Sequence, residues 1–138
     1  RLSALIPEDY LPDVHNRLML YKRISNASSD EALDELQVEM IDRFGLLPEP
    51  VKNLFAVSAL KLKAQALGIK KIDAGPSGGR IEFSQDTTVD PRRLIQLIQK
   101  EPKRYKLEGG DTLRFTDTMN VNETRLKFVH ALLEVLTG

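Results

Sequence analysis

The run Glu39-Met40-Ile41-Asp42-Arg43-Phe44-Gly45-Leu46-Leu47-Pro48-Glu49-Pro50-Val51 constrains this chain most, because it has to end one helix, turn the backbone and start another with little slack. Gly45 is free to take the left-handed conformation that closes a helix, and Leu46 is placed for the apolar contact that accompanies such a cap. Pro48 and Pro50 suit the first turn of the next helix, where amides have no intrahelical partner to lose.

Helical periods occupy the first half of the chain. Asp13 can cap a helix running to about Ile24, with Val14, Leu18 and Tyr21 on one side. Ser28 with Glu31 makes a capping box for a second helix that ends at Phe44 and carries Leu33, Leu36, Met40 and Phe44 as its apolar stripe. A third helix, about residues 48–67, is apolar on two sides, which predicts a central position. After Gly68 the period shortens. Residues 69–74 and 80–84 read as strands joined by Gly75-Pro76-Ser77-Gly78-Gly79, and residues 105–108 and 112–116 flank Gly109-Gly110-Asp111. Between these hairpins Asp90 caps and Pro91 opens a helix lined by Leu94, Ile95, Leu97 and Ile98 and stopped by Pro102. A last helix starts near Asn122 and buries Leu126, Val129, Leu133 and Leu136. The fold class is α+β: a three-helix segment, then a β-β-α-β-β-α unit with a small, mostly antiparallel sheet. We expect one domain over residues 1–138, divided into a lead-in segment 1–12, a helical half 13–67 and a mixed half 68–138.

A chain of 138 residues can bury roughly two-thirds of its unfolded surface. With 41% apolar and 29% charged residues and no long apolar run, no membrane span, signal peptide or disordered tail is expected. The absence of cysteine excludes disulfides, thiol nucleophiles and zinc-thiolate sites, and suits the cytoplasm. A start at Arg1 rather than methionine points to a piece of a longer protein, and the isolated piece is expected to be a monomer.

Formal charge is zero but unevenly spread. Between residues 29 and 50, Asp30, Glu31, Asp34, Glu35, Glu39, Asp42 and Glu49 face only Arg43, whereas from 51 to 114 Lys and Arg outnumber the acids by 13 to 7. Within the acidic helix, Glu35, Glu39, Asp42 and Arg43 share one arc pointing away from the apolar stripe. The residues alone favour an ordinary solvated face. The sharper alternative is docking, since carboxylates flanking an arginine can engage a basic partner with defined geometry. In the basic half, Lys103, Arg104 and Lys106 surround Tyr105, with Lys100, Arg92 and Arg93 nearby. These residues become a nucleic-acid contact if folding brings Lys70 and Lys71 alongside; otherwise a solvated basic loop is the safer reading.

Catalytic signals are missing. The glycine run at 75–79 lacks the Lys-Ser or Lys-Thr that reaches phosphate and magnesium, and so reads as a hairpin turn. His15 and His130 lie on separate helices, His130 bordering the face of Glu123, Lys127 and Glu134, and both read as surface residues. No cofactor, metal site or active site is expected.

Taken with Leu5-Ile6-Pro7-Glu8-Asp9-Tyr10-Leu11-Pro12-Asp13, Arg17-Leu18-Met19-Leu20-Tyr21-Lys22-Arg23-Ile24 and Leu67-Gly68-Ile69, the run from Glu39 to Val51 resembles the carboxy-terminal domain of the bacterial transcription-repair coupling factor, the Mfd family of ATP-driven DNA translocases. The resemblance implies a non-catalytic, autoinhibitory domain that packs on the UvrA-binding module of its own parent protein, masks it and restrains the motor. In the parent the implied partners are UvrA, RNA polymerase and double-stranded DNA. Because Glu39, Asp42 and Arg43 lie in the most family-like run, the resemblance favours docking over solubility for Glu35, Glu39, Asp42 and Arg43. The alternative is a DNA-contacting accessory domain acting through Lys70, Lys71, Lys103, Arg104 and Lys106.

Overall fold

The computed structural model describes residues 3–117 and 122–137, the side chains of 122–124 excepted. Its elements run α1 (Val14–Asn26), α2 (Asp30–Phe44), α3 (Glu49–Ala66), β1 (Ile69–Gly75), β2 (Gly78–Phe83), α4 (Pro91–Lys100), β3 (Tyr105–Glu108), β4 (Thr112–Thr116) and α5 (Asn122–Thr137). The α+β reading and its element order hold. Contacts divide the chain into two compact units, Arg1–Leu62 and Lys63–Gly138.

In the first unit Ile6 and Leu11 of the lead-in segment are buried with Leu20, Ile24, Leu33, Leu36, Met40, Leu47, Val51 and Phe55. Each such side chain contributes about 1.5–3 kcal/mol on full burial. Polar contacts fix the lead-in: the Ile6 amide donates to the Tyr21 hydroxyl at 2.7 Å, Arg17 donates to the Leu11 and Pro12 carbonyls at 2.8 and 2.9 Å, and the buried Asn53 side chain donates to the Ser3 carbonyl at 3.0 Å.

Four local expectations are corrected here. Asp13 does cap α1, accepting from the His15 amide at 2.9 Å, but Val14 and Leu18 are 60% and 62% exposed while Leu20 and Ile24 are buried. This helix has two apolar stripes either side of Tyr21, and its packing partners select the other one. The α2 cap is Ser29, which is extended and accepts from the Ala32 amide, so the helix begins one residue later than the Ser28 capping box implies. Gly45 takes positive φ as expected, but with φ 94° and ψ −173° it lies in the mirror-extended region open essentially to glycine, not in the left-handed helical well. Leu46 is therefore thrown outward at 87% exposure, and Leu47 fills the inward position.

The second unit is a four-stranded sheet of order β1-β2-β4-β3 in which every ladder is antiparallel. The glycine run makes the expected hairpin, with Gly75 paired to Gly78 around Pro76-Ser77. Glycine is required there because a Cβ on Gly79 would lie 2.0 Å from the Asp73 carbonyl oxygen and one on Gly78 2.2 Å from that of Phe115. Alternation in β2 and β4 turns Ile81, Phe83, Leu113 and Phe115 to one face, where they are buried with Tyr105, Val89, Val129, Leu132, Leu133 and Leu136. Phe115 and Phe128 stack with ring centroids 5.2 Å apart. The α4 stripe is shallower than expected: Leu94, Leu97 and Ile98 are half-buried and Ile95 is exposed. In α5 Leu126 is only half-buried and Leu132 joins the core. Residues 1–2 of the lead-in and 118–121 and 138 of the mixed half lie outside the described residues.

Candidate protein-interaction face

Helix α2 holds all four residues of the acidic face. Ser29 starts it, and Asp30 and Glu31 in its first turn complement the positive end of the helix dipole. Glu35, Asp42 and Arg43 are exposed and Glu39 is half-buried, so the structure brings them to one side of the helix as the spacing predicts.

Glu39 is not a free carboxylate. Arg23 of α1 grips it with both terminal nitrogens, Nη1 to Oε2 at 2.6 Å and Nη2 to Oε1 at 2.8 Å, and Arg43 Nη1 adds a bond to Oε2 at 3.3 Å. This planar fork is the strong geometry for an arginine–carboxylate pair. The Arg23 hydrogen bonds, reinforced by the charges of Arg23 and Arg43, lower the Glu39 pKa from 4.5 to about 2. Arg23 is the residue of this site that sequence reasoning missed. It lies on another helix, and no period within α2 can reveal it.

The carboxyl end of α2 is pinned as well. The Arg43 guanidinium sits 4.8 Å from the Phe44 ring centroid, and Phe44 meets Tyr10 edge-on at 6.1 Å. The Tyr10 hydroxyl donates to the Gly45 carbonyl at 3.1 Å, and partial burial raises its pKa. Between α1 and α2 runs a groove of about 560 Å³, with Arg23, Glu35 and Glu39 on its walls and Ala27 and Leu36 among its apolar contacts. Beside the charged arc Val38 and Ile41 are 59% and 39% exposed, and Leu46 follows them at the helix end.

The five basic candidates are not brought together. Lys70 and Lys71 lie on β1, one edge of the sheet, while Lys106 lies on β3 at the opposite edge with Lys103 and Arg104 just before it. Lys70 faces Glu82 at 3.6 Å and Lys71 faces Asp73 at 3.7 Å. Arg104 faces Glu101 at 3.4 Å and Asp117 at 4.0 Å, and lies 5.9 Å from the Phe128 ring centroid. Of the neighbouring arginines, Arg92 is bound back to its cap residue Asp90, and Arg93 donates to the Val135 carbonyl. What the strand order places between the two edges is Arg80 and Arg114, which sequence reasoning passed over.

Among the described residues no group of three His, Cys, Asp or Glu is placed to hold a metal ion, and no helix is long and apolar enough to cross a membrane.

Residues 1–94 match the TRCF domain family model. Over 138 residues the chain is 49% identical to the transcription-repair-coupling factor of Haemophilus influenzae, and over 136 residues it is 42% identical to that of Escherichia coli. It spans 12% of the length of each of these proteins. A solved crystal structure of the C-terminal domain of transcription-repair coupling factor superposes with a TM-score of 0.77 at 21% identity, covering 99% of this chain and 91% of that one, which establishes the shared fold. Family match, aligned relatives and fold agree along the chain, which therefore belongs to the TRCF domain family as a domain of the transcription-repair coupling factor.

Proposed function

We propose that this chain is a non-catalytic regulatory domain that docks through the exposed arc of α2 on the UvrA-binding module of its parent protein, masking that module and restraining an ATP-driven DNA translocase. One observation carries the reading: the run from Glu39 to Val51, on which the resemblance to the family was read, is also the run that turns charged and apolar side chains outward. Asp42 and Leu46 stay out of the first unit's core and Arg43 touches only its margin, at Glu39 and the Phe44 ring, whereas Met40, Leu47 and Val51 in the same run supply that core. Exposed Val38, Ile41 and Leu46 provide apolar anchors, and Glu35, Asp42 and Arg43 a charged rim. A contact of this kind within one polypeptide works at high effective concentration and need not be tight by itself, so engagement of the motor can release it.

The test uses the full-length parent carrying Glu35→Ala, Asp42→Ala and Arg43→Ala, which spares the Arg23–Glu39 fork. Capture of UvrA should rise at least several-fold while the melting temperature stays within a degree or two, since these exposed side chains contribute little to folding. Wild-type capture by an equally stable variant would defeat the reading.

A further inference from the structure

The solvent face of the sheet carries a row of cations that sequence order conceals. Register sets Lys106 of β3 opposite Arg114 of β4, and Arg114 opposite Arg80 of β2. Three positive side chains thus stand abreast on adjacent strands, which are spaced about 4.8 Å apart. Like charges directly opposite one another destabilise a sheet; Asp73 of β1, set opposite Arg80 in register, closes the row at one end, and its carboxylate lies 3.7 Å from Lys71.

The local carboxylates do not supply enough. Glu108 is engaged by Arg114 at 2.9 Å, Glu82 by Lys70 and Asp73 by Lys71. Each acid on this face has its own cation, which leaves Arg80 and Lys106 exposed and without an ion-pair partner among the described residues. Their side chains reach the same place: the Glu108 pKa is lowered first by the hydrogen bond from Arg114, then by the charges of Arg114, Arg80 and Lys106.

We propose that the row Arg80–Arg114–Lys106 is a binding site for the phosphate backbone of duplex DNA. The face favours this occupant over a protein, because the residues sharing it in register, Lys71, Asp73, Arg80, Glu82, Lys106, Glu108, Thr112, Arg114 and Thr116, include no large apolar side chain to anchor a protein interface. It favours a duplex over a single strand because none of those residues is aromatic, so no base can stack there. Backbone contacts of this kind position a duplex without reading its sequence. The site belongs to the second unit and α2 to the first, and it stands or falls independently of the masking role.

The experiment is fluorescence anisotropy of the 138-residue chain with a labelled 20-base-pair duplex, the corresponding single strand and polyglutamate, titrated from 50 to 200 mM salt. With Arg114 already paired to Glu108, neutralising two phosphates through Arg80 and Lys106 predicts a log-log salt slope of about −2 and a loss of about 12-fold in affinity across that range. Arg80→Gln with Lys106→Gln should reduce the slope to near zero, and Arg80→Gln alone to about −1, while Lys52→Gln with Lys61→Gln in the first unit leaves it unchanged. The single variant covers the case in which the double variant does not fold, as read by its melting curve. No duplex binding at 50 mM salt, equal or tighter binding of the single strand or of polyglutamate, or a wild-type slope in the folded Arg80 variant would each overturn the proposal.

Discussion

Glu39 was legible in the sequence as a member of a charged arc, and its environment was not. Spacing fixes where a side chain leaves its own helix. It says nothing of Arg23, which arrives from α1 to grip the carboxylate. The consequence is a pH dependence of known sign. Because the folded-state pKa is lowered to about 2 from 4.5, the stability contributed by the fork is present above about pH 4.5 and is lost as pH falls toward 2. In Glu39→Gln, thermal melts should show a smaller fall of melting temperature across that window than in the wild type; parallel losses would show the fork to be uncoupled from folding. The cap of α2 offers a second residue-scale test. Ser29→Ala should cost about 1 kcal/mol in urea denaturation and Ser28→Ala close to nothing, because only Ser29 accepts a backbone hydrogen bond. A capping box read from sequence cannot choose between adjacent serines when both precede the same helix formers.

At the scale of elements, number, type and order were legible because caps, prolines and glycines punctuate this chain heavily. Asp90-Pro91 opens α4 and Gly75 to Gly79 turns the first hairpin where the sequence places them. Which stripe of a helix faces inward was less legible. Helix α1 has apolar residues on two sides, and period alone gives Val14 and Leu18 the same claim as Leu20 and Ile24. Leu20→Ala should destabilise the first unit by about 2–5 kcal/mol, whereas Leu18→Ala should stay within about 0.5 kcal/mol. Equal effects in chemical denaturation would contradict the buried face assigned here. The Arg80–Arg114–Lys106 row was illegible for a different reason. The outward direction of each side chain follows from alternation, but their adjacency depends on strand order, and β4 comes to lie between β2 and β3 only in the folded sheet.

For the whole molecule, the family was legible from widely spaced runs in the right order, and the fold follows from it. The charged arc of α2 was readable from spacing, whereas the exposed Val38, Ile41 and Leu46 beside it and the grip of Arg23 on Glu39 belong to the folded surface. Strand order has one more consequence. It leaves β1 at the border of the sheet with free backbone donors and acceptors, among the described residues, on its outer side. Such a border invites another chain to extend the sheet, and proteins defend it with kinks and charge. Here the register shifts between Ile69 and Lys71, and Lys70 and Lys71 sit at that irregularity. A kinked, lysine-bearing border of this kind is a poor template for strand addition. Replacing the two lysines as Lys70→Val and Lys71→Thr should make the light-scattering mass climb with concentration more steeply than in the wild type, and a variant that matched the wild type up to millimolar concentration would show that the kink alone suffices.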